Sequence, residues 1–152
     1  MRPCSQVLQC HSAVNRPEAA GFSGTGVALA VGMREGLDKL EDRSKQFAID
    51  CIPLCAELEQ RRGLRTTAFQ LADASGSVAA NHRAMRRARS DREFAAKLQI
   101  VCEEIDESVM WLEVADATCK PLKPQIAPLL SEALELRAIF SRSRSTFRNR
   151  NS

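Results

Sequence analysis

SDREFAAKLQIVCEEIDESVMWLEVA, Ser90 to Ala115, is the stretch on which the fold turns. It opens with a helix start. Ser90, Asp91, Arg92 and Glu93 have the spacing of a capping box, in which the serine hydroxyl accepts from an orphan backbone N–H and the glutamate reaches back. Phe94, Leu98, Val101, Ile105, Ser108, Leu112 and Ala115 then recur at alternating spacings of four and three. That is a heptad seam with Ser108 as its one polar member, and a seam of this kind demands a helix packed alongside. Glu93 and Lys97 add an i,i+4 pair in the favoured order.

Upstream, Leu37, Leu40, Phe47, Cys51, Leu54, Cys55 and Leu58 form a helical stripe over about 34–60. Pro53 removes a backbone donor inside it and predicts a kink or a break. Arg61, Arg62 and Gly63 read as its terminus. A second helix is expected over about 66–87. Its middle, LADASGSVAAN (71–81), is nearly all small residues, and Gly76 costs about 1 kcal/mol relative to Ala. Close packing or a local distortion is the expected offset. Downstream, Pro121 and Pro124 close the seam helix, and a fourth helix is expected over about 125–147. Its stripe is Ile126, Leu129, Leu130, Ala133, Leu134, Ile139 and Phe140, with Pro128 in the first turn.

Nothing reads as a strand. The expected fold is all-α, an antiparallel up-down four-helix bundle over 34–147. Residues 1–33 are rich in Gly, Ser, Pro and Ala without a sustained period, and predict a disordered N-terminal extension. Met33 stands just before the first helix and is an alternative start to Met1. Residues 148–152 are a basic, frayed tail.

Several function classes drop out. No apolar run approaches the roughly 18 residues of a membrane helix, and the run Gly26–Gly32 has no basic segment close before it, so a cytoplasmic protein is expected. The six cysteines show no CxxC pair. Cys51, Cys55 and Cys102 sit in apolar helical patterns as small hydrophobes, so reduced thiols are expected. Cys4, Cys10 and His11 have poor spacing for a metal, and Ser23–Gly26 (SGTG) lacks the remainder of a phosphate loop. No Ser-His-Asp arrangement is legible, and His82 has no acid or nucleophile beside it in sequence. No enzyme activity, cofactor, metal or small-molecule substrate is expected.

Net charge is only +3, but it is segregated. Residues 37–60 carry three basic and six acidic side chains, 61–97 carry nine and three, 98–117 none and six, and 137–152 five and none. Such segregation steers an anionic partner or locks one subunit onto another.

SVAANHRAMRRARSDREFAAKLQIVCEEIDESVMWLE, Ser77 to Glu113, resembles the bacterial family of 23S rRNA-intervening sequence proteins. Ser77, Val78, Ala80, Asn81, Arg83, Arg86, Arg87, Ala88, Arg89, Ser90, Phe94, Lys97, Leu98, Glu103, Glu104, Asp106, Glu107, Trp111 and Leu112 carry the resemblance. His82 stands where that family usually has Tyr, and Ala84 where it commonly has an acid. The resemblance implies a four-helix bundle that assembles into a ring, typically a pentamer. It also implies kinship with the accessory proteins of diversity-generating retroelements, whose basic rings bind nucleic acid.

Three readings of the arginine-rich turn stay open. The arginines can be a solvated helix end favoured by the macrodipole. Alternatively, Arg83, Arg86, Arg87, Arg89 and Arg92 can pair with Glu103, Glu104, Asp106 and Glu107 of the next helix or the next subunit. They can also contact phosphates of RNA or DNA without sequence preference, with Arg86 and Arg89 leading. Asn81 is expected to be a satisfied core amide that fixes register. Ile100, Glu104 and Trp111 fall together on one flank of the seam helix and are the expected oligomer interface. The leading expectation is a non-enzymatic homo-oligomer that binds nucleic acid. The alternative is a purely structural or protein-binding oligomer.

Overall fold

Ser90 has extended backbone (φ −153°, ψ 157°), and its Oγ accepts from the Glu93 N–H at 3.1 Å, so helix α3 (Asp91–Thr118) starts at the expected cap. Glu93 reaches one residue further back than a capping box does: its Oε2 accepts from the Arg89 N–H at 2.9 Å. The computed structural model describes the backbone of residues 24–150 and the side chains of 38–149. The other helices are α1 (Gly24–Glu59), α2 (Arg65–Met85) and α4 (Lys123–Arg150), with a 3₁₀ turn at Lys120–Leu122. No strand occurs among the described residues.

The chain divides into two units, Met1–Arg34 and Glu35–Ser152. The expected extension lies mostly outside the described residues, as do Cys4, Cys10 and His11. The backbone from Gly24 is helical, ahead of the expected start near Arg34. Once a helix has nucleated, each further residue costs little, which carries it through glycines that would not start one.

The seam of α3 is buried as its spacing requires. Leu98, Val101, Ile105, Ser108, Leu112 and Ala115 have no exposure, and Phe94 is half-buried at the end. The Ser108 hydroxyl donates to the Glu104 carbonyl at 2.9 Å, which satisfies the one polar member within its own helix. On α1, Phe47, Cys51, Leu54, Cys55 and Leu58 enter the same core, and α2 adds Ala68, Leu71, Ala74, Val78 and Met85. Burial pushes the Cys51 thiol up to about 12 and the Cys55 thiol up to about 11, so both are packing groups rather than nucleophiles.

Charged and polar contacts fix the neighbours. Arg43 of α1 meets both Glu132 oxygens of α4 at 2.8 Å and Glu135 at 2.8 Å. Gln125 at the start of α4 donates to Glu57 near the end of α1 at 2.9 Å. Lys123 and Asp116 (3.0 Å), Arg137 and Asp106 (3.6 Å), and Arg144 and Gln99 (3.2 Å) tie α4 to α3 in opposite directions. The α1–α4 and α3–α4 neighbours are therefore antiparallel, as short connections demand.

Four local expectations change. Pro53 does not break α1: it is exposed, so the carbonyl its missing N–H frees faces water, and Cys51, Leu54 and Cys55 anchor both sides in the core. Pro128 lies beyond the first turn of α4, again on the exposed face. In the α4 stripe Leu136 takes the place expected for Leu134. Ile126, Leu129, Ala133, Leu136 and Phe140 keep the three-four alternation, and Leu134, one residue off that line, is 37% exposed. α4 runs on past the expected end at Phe147 to Arg150, with Phe147 packed on Phe94 at 5.0 Å between ring centroids, and the last two residues of the expected tail lie outside the described residues.

Gly76 supplies a fifth difference. A Cβ built there meets nothing within 4 Å, so neither close packing inside the chain nor a distortion explains the glycine. Gly76→Ala is expected to raise stability by about 0.5–1 kcal/mol in urea unfolding. A fall in stability would mean that something outside the chain occupies that face.

Candidate nucleic-acid interface

The antiparallel order brings two distant basic segments to one end of the bundle. The α2–α3 turn carries Arg86, Arg87 and Arg89, the first turn of α3 carries Arg92, and the last turns of α4 carry Arg142, Arg144 and Arg148. The Phe94–Phe147 contact and the Arg144–Gln99 hydrogen bond pin the end of α4 against the start of α3. The sequence showed both charge excesses but not that they meet. Arg142 and Arg144 were missing from the expected site residues because only the topology places them there.

These arginines are not equivalent. Arg86 is engaged: one guanidinium nitrogen lies 2.7 Å from Asp38 Oδ1 and the other 2.7 Å from Glu41 Oε2, with its side chain only 23% exposed. The Asp38 hydrogen bond, then Glu41, raises its pKa further. Arg83 shares Glu41 at 3.7 Å. For Arg83 and Arg86, pairing with α1 stands in place of the expected intramolecular pairing with Glu103, Glu104, Asp106 and Glu107. The reason is geometric: Arg83 and Arg86 are one helical turn apart and share the face of α2 that lies against α1. Arg86, expected to lead the phosphate contacts, clamps α1 to α2 and would have to share or give up Asp38 and Glu41 to bind a phosphate. Arg89 is exposed and loosely paired with Glu93 at 3.7 Å. No carboxylate among the described residues lies within ion-pair distance of Arg87, Arg92 or Arg142. These three guanidiniums can bind an outside anion without first giving up a partner.

Beneath this end sits a buried polar contact that sequence reading missed. His82 is fully buried, with Nδ1 2.9 Å from Ser44 Oγ and the ring edge-on to Phe140 at 5.0 Å. The Ser44 hydroxyl proton goes to the Leu40 carbonyl at 2.9 Å, so the serine oxygen accepts from His82 Nδ1–H. Nε2 is left as a buried lone pair with no partner. Burial lowers the His82 pKa to about 4, with Glu41 opposing and Arg86 reinforcing the shift. The signal that could have shown this is the step of four from Val78 to His82 on the α2 stripe. Asn81, expected in the core, is half-buried at the rim instead. Its Nδ2 donates to the Ser77 carbonyl at 3.0 Å, and its Oδ1 accepts from Lys97 Nζ at 3.1 Å, so it links α2 to α3.

Ile100, Glu104 and Trp111 are all half-buried on the flank of α3. Trp111 packs on the core edge, and its Nε1–H donates to Glu107 at 3.0 Å. Burial first, then Glu107, Asp73 and Glu103, pushes the Glu104 carboxyl above its ordinary range. Asp73 belongs to α2, so this flank leans toward α2.

No group of three His, Cys, Asp or Glu able to hold a metal occurs among the described residues, and no described helix is long and apolar enough to cross a membrane. No protein-family model matches the chain, and no curated protein matches it. Among solved structures, the chain is similar to a protein of unknown function from the S23 ribosomal protein family of Bacteroides thetaiotaomicron VPI-5482. The TM-score is 0.65 at 23% identity, over 72% of this chain and 97% of that one, and the two share the fold.

Proposed function

We propose that this chain is a non-enzymatic, cytoplasmic homo-oligomer that binds RNA or DNA without sequence preference through the arginine end of its bundle. One observation carries the reading: Arg87, Arg92 and Arg142 lie toward the same end of the bundle, and none has a carboxylate partner among the described residues. Guanidinium forks match phosphate oxygens, and backbone contacts of this kind carry no sequence information. The motif at Ser77–Glu113 and the fold shared with an S23-family protein support placing the chain beside the intervening-sequence proteins and the retroelement accessory proteins. Copies of the arginine end repeated around a ring, a pentamer in this reading, would multiply weak contacts.

The test is binding of unrelated RNA and DNA fragments across a salt series. The triple variant Arg87→Ala, Arg92→Ala, Arg142→Ala should weaken all of them similarly. The slope of log affinity against log salt should become shallower by about 2–3, near one counterion per lost contact. If the wild-type chain binds neither nucleic acid even near 50 mM salt, where backbone contacts are strong, the reading fails.

A second reading, a structural or protein-binding oligomer, is favoured by a different observation. Phe69 is 71% exposed on α2 and shares a groove with the exposed Ile52 of α1. A large aromatic left exposed beside a second apolar side chain is a mark of an interaction site. Light scattering on a sizing column should give several times the monomer mass, and Trp111→Ala should shift it toward smaller species. A monomer at micromolar concentration would remove the ring and leave Trp111 as an edge of the core.

A further inference from the structure

The opposite end of the bundle holds a second group of arginines with different surroundings. Arg61, Arg62, Gly63 and Leu64, in the α1–α2 connection, line a depression with Thr118, Cys119 and Pro121 from the end of α3 and the turn that follows. The backbone there is closed on itself: the Arg61 N–H donates to Leu58 at 3.0 Å, the Leu64 N–H donates to Arg61 at 3.1 Å, and Gly63 takes φ +88°, which favours glycine. No acid lines the depression. Glu59, the nearest acid in sequence, is turned to Arg65 at 3.5 Å, and Asp116 is held by Lys123 at 3.0 Å.

Arg61 and Arg62 could simply answer the carbonyls at the end of α1, since cations are favoured there. That account leaves one fact unexplained. Arg61 Nε is buried and has no hydrogen-bond partner. A guanidinium serving helix carbonyls would bond one of them, whereas here a charged donor has lost water and gained nothing in the chain. Buried donors are nearly always satisfied, by protein, water or a bound group.

We propose that this depression is an anion site that takes a phosphate group, with the Arg61 and Arg62 guanidiniums as its donors. Two forked cations, an Arg61 side chain that makes no hydrogen bond among the described residues, and no lining acid suit a compact, multiply charged oxyanion, which the terminal guanidinium nitrogens would contact. The Thr118 hydroxyl does not compete as a donor, because its proton goes to the Val114 carbonyl at 2.6 Å. The phosphate can be free in solution or be the terminal phosphate of an oligonucleotide. The site lies at the other end from Arg87, Arg92 and Arg142 and does not depend on the nucleic-acid reading.

The test titrates inorganic phosphate into the full chain in low-chloride buffer, followed by ³¹P resonance broadening and calorimetry. Saturable binding of one phosphate per chain is expected. Arg62→Gln, an exposed change, and Arg61→Gln should each weaken it roughly tenfold or more, the ratio set by one lost charge-assisted hydrogen bond. Circular dichroism checks that Arg61→Gln stays folded. The Arg87, Arg92, Arg142 triple variant should bind phosphate as before. A short oligonucleotide with a 5′-phosphate that displaces inorganic phosphate, where its 5′-hydroxyl counterpart does not, identifies a nucleic-acid end as the source. Equal failure of both oligonucleotides identifies free phosphate. Absence of saturable binding at millimolar phosphate, or binding unchanged in both Arg61→Gln and Arg62→Gln, overturns the proposal.

Discussion

Acidification between pH 6.5 and about pH 4 is expected to remove on the order of 3 kcal/mol of stability through His82 alone. The sign follows from which state binds the proton first. His82 is held neutral in the fold, with its pKa lowered from 6.5 to about 4, so the unfolded chain protonates first as pH falls. Its contribution is complete above the unfolded pKa, disappears as pH falls through that window, and changes no further below it. The cause is a ring with no exposure, one hydrogen bond to Ser44, and no partner for a second N–H at Nε2. Urea unfolding at pH 7 and pH 4.5 measures the loss, which corresponds to roughly 10 °C in Tm for a domain of this size. His82→Phe keeps the ring volume and leaves Ser44 bonded to Leu40, so it should flatten the dependence over this window. The difference between the two proteins isolates His82 from every other titrating group, since those are common to both. Equal pH slopes in both proteins would show that His82 is not held neutral.

Phe140→Ala should be the most damaging single truncation and should also weaken that acid response. Phe140 is 1% exposed in the core and stands edge-on to His82. Removing its ring costs about 3–5 kcal/mol from lost transfer energy and the cavity left behind. The cavity would lie beside the imidazole, whose unpartnered Nε2 is a polar atom that can hold a water. Water there solvates the imidazolium, so the folded-state pKa returns toward 6.5 and less stability is lost on acidification. Urea unfolding of the single and double variants, Phe140→Ala with and without His82→Phe, reads this coupling directly. An undiminished pH dependence in Phe140→Ala would mean that other contacts, not this ring, keep water from His82.

The helices themselves were legible because periodicity is local. Ser90 and Glu93 marked the start of α3, and the alternation from Phe94 to Ala115 named its buried face residue by residue. The cysteines read as packing groups, and those at 51, 55, 102 and 119 are free and buried. Errors came where a local rule depended on exposure that the sequence does not state. Pro53 predicts a kink or a break, yet α1 runs through it without breaking, because on an exposed face its lost donor costs little. Leu134 and Leu136 are equally apolar, and only the orientation of α4 chose between them.

For the candidate site the division is sharper. The sequence by itself determined four helices, the seam of α3, and a charge pattern in which 61–97 and 137–152 are basic and 98–117 acidic. Only the tertiary structure decided what each charge meets. Ion pairing depends on which faces of antiparallel helices oppose each other, and hydrophobic period fixes the inward face without naming the neighbour on either side. Packing α2 against α1 gave Arg86 to Asp38 and Glu41, and the pinning of Phe147 on Phe94 set the basic end of α4 against the start of α3. It also buried His82 under the same end, where the meeting of three helices, rather than any property of the residue, holds it neutral.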